Sequence, residues 1–279
     1  MTNVNSTGAK STRANSTGVN STGVNSTGAA LAADNELHIL WLYPDVLDLH
    51  GGRGDIMGLE HTARLLGLTP VTRRVDGFDQ EPDFAWADLI WLGPGEVRCA
   101  DVVARQLTPW LPRLQTALER GALLAAVDST GAAVARETFR LDGSSFPGLG
   151  LLDMTCREME QVVGNDLWFA LPDGEEVMGI QISLLKIELG VQAQPLGRVV
   201  YGYGNDGAGG EGARQGSVVF TNALGPICVK NPRFAARLIC QALAAKCPQL
   251  KPEIPAELTR VEDMSFDLIR TFIQKKQAG

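Results

Sequence analysis

Three short apolar runs constrain this chain most. "LHILWLY" (37–43), "DLIWLGPG" (88–95) and "LLAAV" (123–127) read as strands buried on both faces, because their apolar character is unbroken rather than alternating. Helical spacing fills the gaps between them. Ile56, Leu59, Ala63 and Leu66 share one helical face after the first run, and a helical region spans roughly 100–120, broken or kinked by Pro109 and Pro112. Buried strands alternating with helices imply a mostly parallel sheet covered on both sides.

From about residue 146 the texture changes. "LGLLDM", "EEVMGIQIS", "GRVVYGYG" and "GSVVFTNALG" read as consecutive strands joined by glycine-rich turns, with Asn205-Asp206-Gly207 supplying strong turn chemistry. "NPRFAARLICQALAAK" (231–246) predicts a core helix with Phe234, Leu238 and Ala242 on one face, and "SFDLIRTFIQKK" predicts a second, short amphipathic one. At the other end, "NSTG" occurs at 5–8, 15–18, 20–23 and 25–28. A segment without large apolar side chains cannot offset its ordering entropy, so residues 1–35 are expected to be a disordered tail. Residues 36–248 are expected to form one domain, and residues 249–279 an appendage with a short helix.

The totals exclude several classes. With 279 residues, 44% hydrophobic, the chain can bury a sizeable core. A net charge of −7, without a basic stripe or interleaved aromatics, gives nucleic acid nothing to bind. No apolar run is long enough to span a membrane, and the start carries no secretion signal, so the glycosylation reading of the NSTG repeats is set aside. Cys99, Cys156, Cys228, Cys240 and Cys247 are odd in number and lack CxxC spacing, which suits a reducing cytoplasm rather than a zinc ribbon. No metal and no cofactor is expected.

The run at 123–127 leads into Asp128-Ser129-Thr130-Gly131 and a helical stretch, a strand-to-helix elbow of the kind that lifts a nucleophile above a sheet. Several segments, in order, resemble the GatD family, which belongs with the CobB/CobQ-type class I glutamine amidotransferases. They are "LYPDVLDLHGGRGDIMGLEHTARLLG" (42–67), "IWLGPGEVR" (90–98), "GLGLLDM" (148–154), "VVGN" (162–165), "PLGRVVYGYGNDGAGGEGAR" (195–214) and "GPICVKNP" (225–232). The resemblance implies an α/β three-layer sandwich around a mixed, mostly parallel sheet. It also implies a MurT-type Mur ligase as heterodimer partner, the ligase using ammonia from glutamine to amidate the D-glutamate carboxyl of lipid II.

Glutamine hydrolysis in this class needs a thiolate, an activating histidine and backbone donors for the oxyanion. The resemblance puts the nucleophilic cysteine at Asp128, or at Ser129 with a one-residue slip. It puts the catalytic histidine at Leu224 and the arginine that holds substrate glutamine at Gln161. Nucleophile, base and substrate clamp are replaced. A census independent of alignment agrees, because His38, His50 and His61 are the chain's only histidines and all lie in its first 61 residues. Only His50, in the loop after the first strand, is expected at the end of the sheet where sites form. Asp128, Ser129 and Thr130 read instead as a helix N-cap, with Asp128 adding a favourable charge.

Two glycine and charge motifs read as framework. "GYGNDGAGGEG" lacks the GK[ST] ending of a phosphate loop and reads as a mobile hairpin. "RGD" (53–55) opens a helix and reads as coincidence. "PDVLDLHGGRGDIMGLEH" and "GYGNDGAGGEGAR" are expected to be exposed loops that build a partner surface. The reading that results is a non-hydrolysing GatD-like subunit, with structural or regulatory use to its ligase. Its rivals are an active amidotransferase subunit with an unrecognised nucleophile, and a small-ligand sensor.

Overall fold

A computed structural model of the protein describes residues 35–278; the NSTG-repeat tail expected to be disordered lies outside them. The chain runs β1 (Glu36–Leu42), α1 (Gly52–Leu65), β2 (Thr69–Val75), β3 (Leu89–Leu92), α2 (Val97–Leu107), α3 (Leu111–Glu119), β4 (Leu123–Val127) and α4 (Gly131–Val134). It continues through β5 (Glu137–Phe139), β6 (Ser145–Pro147), β7 (Met154–Ala170), β8 (Glu176–Leu189), β9 (Gly197–Tyr201) and β10 (Gly210–Glu211). It ends with β11 (Ala213–Gln215), β12 (Val218–Thr221), α5 (Ile227–Lys230), α6 (Pro232–Ala242) and α7 (Arg260–Ala278).

The main sheet has the order β11-β12-β4-β3-β1-β2 and is parallel except for β11. Its central strands bury both faces. Leu37, Ile39, Trp41, Leu123 and Ala125 pack with α1 and α6 residues such as Leu59 and Phe234. Leu40, Leu42, Leu124 and Ala126 pack against α2, α3 and α4. Helices therefore flank both sides of a mostly parallel sheet, the expected α/β three-layer arrangement. His38 alone interrupts the β1 pattern, and it is housed at the rim with its ring stacked on Trp86 at 4.4 Å. The proline break also falls where the sequence puts it: α2 ends at Leu107, Thr108–Trp110 form a 3₁₀ turn, and α3 starts at Leu111.

The second half differs from a simple run of strands. "LGLLDM" is mostly loop, because Leu149, Leu151 and Leu152 donate backbone hydrogen bonds to Ala133 and Val134 rather than to a strand. "VVGN" lies inside β7, which with β8 forms a long antiparallel hairpin interrupted by a bulge between Glu158 and Val163. This hairpin belongs to a second sheet, β10-β9-β7-β5-β6, with β8 on the other edge of β7. "GSVVFTNALG" supplies β12, which leaves that sheet and pairs parallel with β4. The last helix, expected to be short, has 19 residues. Its Ile273 is buried with Trp168 and Met178 of the hairpin, a contact that helical spacing alone does not announce.

Gly58 sets how closely α1 approaches α5. A Cβ there would sit 2.7 Å from the Cys228 carbonyl carbon and the Val229 nitrogen, both backbone atoms that cannot rotate away. Gly58→Ala should therefore destabilise the fold by about 1–2 kcal/mol, overpacking outweighing the better helix propensity of alanine. Urea unfolding reads this directly, and an unchanged or raised midpoint would reject it.

Candidate functional site

The elbow after β4 is real and strained. Val127 is extended, and Asp128 then turns to a φ of 50°, a left-handed conformation that L residues occupy rarely and at a cost. Small residues make the turn possible. The Val127 N–H donates to Thr130 Oγ1 at 3.0 Å, and that hydroxyl lies 3.1 Å from the Leu92 carbonyl at the end of β3. Gly131 lets the Phe220 ring close over the turn, since a Cβ there would meet Cε2 at 2.4 Å. The Gly95 N–H, from the Gly-Pro-Gly turn after β3, donates to Ser129 Oγ at 2.9 Å.

This geometry corrects the reading of Asp128 as a helix cap. A capping side chain leaves an extended residue to reach the free N–H groups of the helix. Asp128 is left-handed and is itself the first residue of a 3₁₀ turn, Asp128–Thr130, that leads into α4; the side chain that serves this turn is Thr130, whose Oγ1 accepts the Val127 N–H. The Asp128 carboxyl instead faces Ser183 of β8. Burial pushes its pKa up to about 7, the Glu211 charge adds to the rise, and hydrogen bonds from the Ser129 N–H and Ser183 oppose it. Oδ1 is buried without a partner.

β8 passes over the ends of both β4 and β12. Leu224, just beyond β12, is buried and bridges Ile180 of β8, with backbone hydrogen bonds of 2.7 and 3.1 Å in the two directions. Three residues further along β8, Ser183 meets Asp128. The positions that the resemblance gives to nucleophile and histidine thus lie under one strand. Asp128 and Ser129 are only 6% and 1% exposed, so neither is presented as a nucleophile. Gln161 is exposed in the β7 bulge, two residues before Val163, the cross-strand partner of Ser183.

A buried polar network adjoins the elbow, and sequence reasoning missed it. Glu211, fully buried, accepts hydrogen bonds from Thr221 Oγ1 (2.8 Å), the Asn222 N–H (2.9 Å) and Asn222 Nδ2 (2.9 Å). Asn222 Nδ2 also reaches Asn205 Oδ1 at 2.8 Å, and Asn205 Nδ2 reaches the Gly212 carbonyl at 2.8 Å. Burial raises the Glu211 pKa against these donors. The segment "GYGNDGAGGEGAR", read as an exposed loop, therefore puts Asn205 and Glu211 inside the protein. The same correction holds for "PDVLDLHGGRGDIMGLEH", also read as an exposed loop: "RGD" opens α1 as expected, but Asp55 is buried, accepts the Cys228 N–H at 2.8 Å, and has its pKa pushed up to about 7 by desolvation. One signal was available, namely that Asn222 directly follows the apolar run of β12.

Among the described residues no cysteine is hydrogen-bonded to a histidine. Burial raises the Cys156 thiol to about 12 and the Cys228 thiol well above its ordinary value, so neither is a ready thiolate. His38 contacts Glu36 and the Trp86 carbonyl. His50 lies in the turn after β1 with a φ of 53°, and His61 is exposed on α1. A surface cleft of about 590 Å³, with Gln192, Arg214, Phe234 and Arg237 among its walls, includes none of the elbow residues.

No family model matches the chain. Over 217 residues it is 25% identical to the subunit GatD of the glutamine-hydrolyzing lipid II isoglutaminyl synthase of Streptococcus pneumoniae, covering 77% of this chain and 83% of that protein. The chain is thus similar to a GatD subunit over most of its length. A solved glutamine amidotransferase shares the fold with a TM-score of 0.51 at 16% identity, over 73% of this chain and 98% of the other. The GatD-like frame thus persists around an elbow whose outward position carries a buried aspartate.

Proposed function

We propose that this GatD-like chain is a non-hydrolysing subunit that partners a MurT-type Mur ligase in amidating the D-glutamate of the peptidoglycan precursor lipid II, supporting or regulating the ligase rather than feeding it ammonia. What supports the reading is the elbow: Asp128, or Ser129 with a one-residue slip, is where the resemblance puts the nucleophile and Leu224 is where it puts the histidine, while in the structure Asp128 and Ser129 are buried and β8 lies against Asp128 and Leu224. The groups that act on the Asp128 carboxyl among the described residues are Ser129, Ser183 and Glu211, and none of them is the histidine or lysine base that generates a nucleophile for amide hydrolysis. In this reading residues 36–248 are the amidotransferase-like domain, residues 249–279 are an appendage, and the ligase draws on free ammonia or another donor. The five cysteines are free, which supports a cytoplasmic setting. Among the described residues no helix is long and apolar enough to cross a membrane.

The purified chain, alone or mixed with its ligase, should release no glutamate from glutamine above the buffer background. Losing a nucleophile and its base together costs about a millionfold in rate in a well-studied hydrolase, far below detection here. Turnover that Ser129→Ala abolishes would reject the proposal and establish the serine alternative. The partner is tested by co-expressing residues 31–279 with a Mur-ligase-like protein and resolving the mixture by size exclusion. One peak containing both supports the heterodimer, and two separate peaks at micromolar concentration reject it.

A further inference from the structure

The cleft that excludes the elbow residues has an apolar floor and one free positive head. Leu196, just before β9, Val219 of β12, and Phe234 and Leu238 of α6 belong to one packed cluster and also line the cleft. Arg214 stands over that floor. It pairs with Val219 across the β11–β12 ladder, and cross-strand partners carry their side chains on the same face of a sheet. From its other edge the Arg214 backbone is pinned to Gln194 by hydrogen bonds of 2.8 and 3.0 Å. The Gln194 amide oxygen also accepts one guanidinium N–H at 3.1 Å. A guanidinium carries several N–H donors, so most of the Arg214 head is left over. Charge separates the two arginines of the cleft. Arg237 is neutralised by Asp173, with Glu175 3.8 Å away, and Asp173 is the one acid among the described lining residues. Arg214 has no carboxylate within ion-pair reach among the described residues, and its single side-chain partner is the neutral Gln194. In a chain of net charge −7, that guanidinium beside an apolar floor suits an anion from outside.

We propose that this cleft binds a small amphipathic organic anion, its carboxylate or phosphate held on the Arg214 guanidinium and its apolar body laid on Leu196, Val219, Phe234 and Leu238. The planar fork of arginine matches either head group through two parallel hydrogen bonds, which a point charge does not. The volume of about 590 Å³ lies within the range of small-molecule sites, which combine apolar walls with a few placed polar groups. Neither half of the ligand suffices alone. An ion pair at an exposed arginine is screened and worth little by itself, and an apolar body without a charge leaves the Arg214 head unanswered. Gln241 of α6 adds an amide to the lining that makes no side-chain hydrogen bond among the described residues, a free donor and acceptor for a polar substituent on the body.

Isothermal titration of the full chain with octanoate, octyl phosphate, octylammonium and inorganic phosphate tests the proposal. At least one of the two amphipathic anions should bind, one per chain, more tightly than about 1 mM, a modest affinity for ligands of this size. Octylammonium and inorganic phosphate, each lacking one half of the match, should bind about tenfold or more weakly. Octanoate alone would mark a carboxylate site, and octyl phosphate alone a phosphate site. Arg214→Gln should weaken binding by about tenfold or more, the scale of a hydrogen bond to a charged group, and Gln241→Glu should weaken it by setting like charge in the cleft. Both positions are exposed, so thermal unfolding without ligand should stay as before. Two variants guard against binding elsewhere: Arg260→Gln, at an exposed arginine outside the cleft, and Leu268→Glu, at an apolar side chain 71% exposed on α7, should both bind as the unmodified chain does. Failure of both anions to bind at about 1 mM, equal binding of octylammonium, unchanged affinity in Arg214→Gln, or loss of binding in Leu268→Glu would overturn the proposal.

Discussion

Glu211→Ala should cost the fold about 2–4 kcal/mol, the scale for several buried donors left without their acceptor, offset in part by relief of the buried carboxyl. The reason is what the substitution leaves behind. Thr221 Oγ1, the Asn222 N–H and Asn222 Nδ2 all donate to the Glu211 carboxylate, in a region closed to the water that could replace it. Each orphaned buried donor carries a penalty of about 1–3 kcal/mol, and relaxation keeps the sum below the simple total. Asn222 cannot turn away to compensate. Its Nδ2 is also held by Asn205 Oδ1, and the Gly212 carbonyl in turn holds Asn205 Nδ2, so the direction of every amide is set from one end. Urea unfolding of the variant at neutral pH measures the loss. Amide exchange should rise first over residues 204–213, where Gly204 and Asn205 are tied to the interior through Gln181 and Gly212. A loss under about 1 kcal/mol would mean that water reaches these donors and that the network does not order the segment.

That network marks the boundary of what the residue order displays. The strands β1, β3 and β4 were legible because a strand covered on both faces must be apolar at successive positions, and Leu89–Leu92 is buried at each one. The elbow was legible as a shape, since Ala125, Ala126 and Gly131 leave room for a sharp turn. Its chemistry was misread: Asp, Ser and Thr are the residues a helix start prefers, and nothing local shows that Asp128 takes a positive φ with its carboxyl turned toward β8. Asp55 and Glu211 were hidden for a related reason. Acidic residues among glycines suit exposed loops, and the partners that justify their burial, Cys228 for one and Asn222 for the other, lie too far along the chain for spacing to reveal. Of the β7–β8 hairpin, "EEVMGIQIS" announces β8, but β7 stays hidden because its bulge breaks the two-residue period. The hairpin's role as a cover over the elbow follows from packing, which no periodicity encodes.

Asp128→Asn should stabilise the protein at pH 8 and leave it nearly unchanged at pH 4. Asp128 has its pKa raised from 3.8 to about 7, chiefly by burial, so the folded state holds its proton more tightly than the unfolded chain does. The sign follows from linkage. Below the unfolded value both states are protonated and the aspartate costs nothing by ionising. As pH rises between the two values the unfolded chain ionises freely while the folded one resists, and stability falls. Above about 7 the full loss is present, on the order of 4 kcal/mol, because each pH unit between the two values costs about 1.36 kcal/mol. Asparagine fills the same space, carries no charge to desolvate, and tolerates the left-handed backbone that the elbow imposes. The difference in unfolding free energy between the two proteins should therefore grow from near zero at pH 4 to a plateau of up to that size above pH 7. Asp55, whose pKa is also about 7, is present in both and cancels. Asp128→Ala removes the same charge but strains at positive φ, and should fall about 1 kcal/mol below the asparagine variant at every pH. The Glu211 charge contributes to the rise at Asp128, so placing Asp128→Asn in a Glu211→Ala background should shrink the plateau. A difference that does not vary with pH, or an asparagine variant less stable at pH 8, would show that Asp128 is ionised at little cost and that β8 does not seal the elbow.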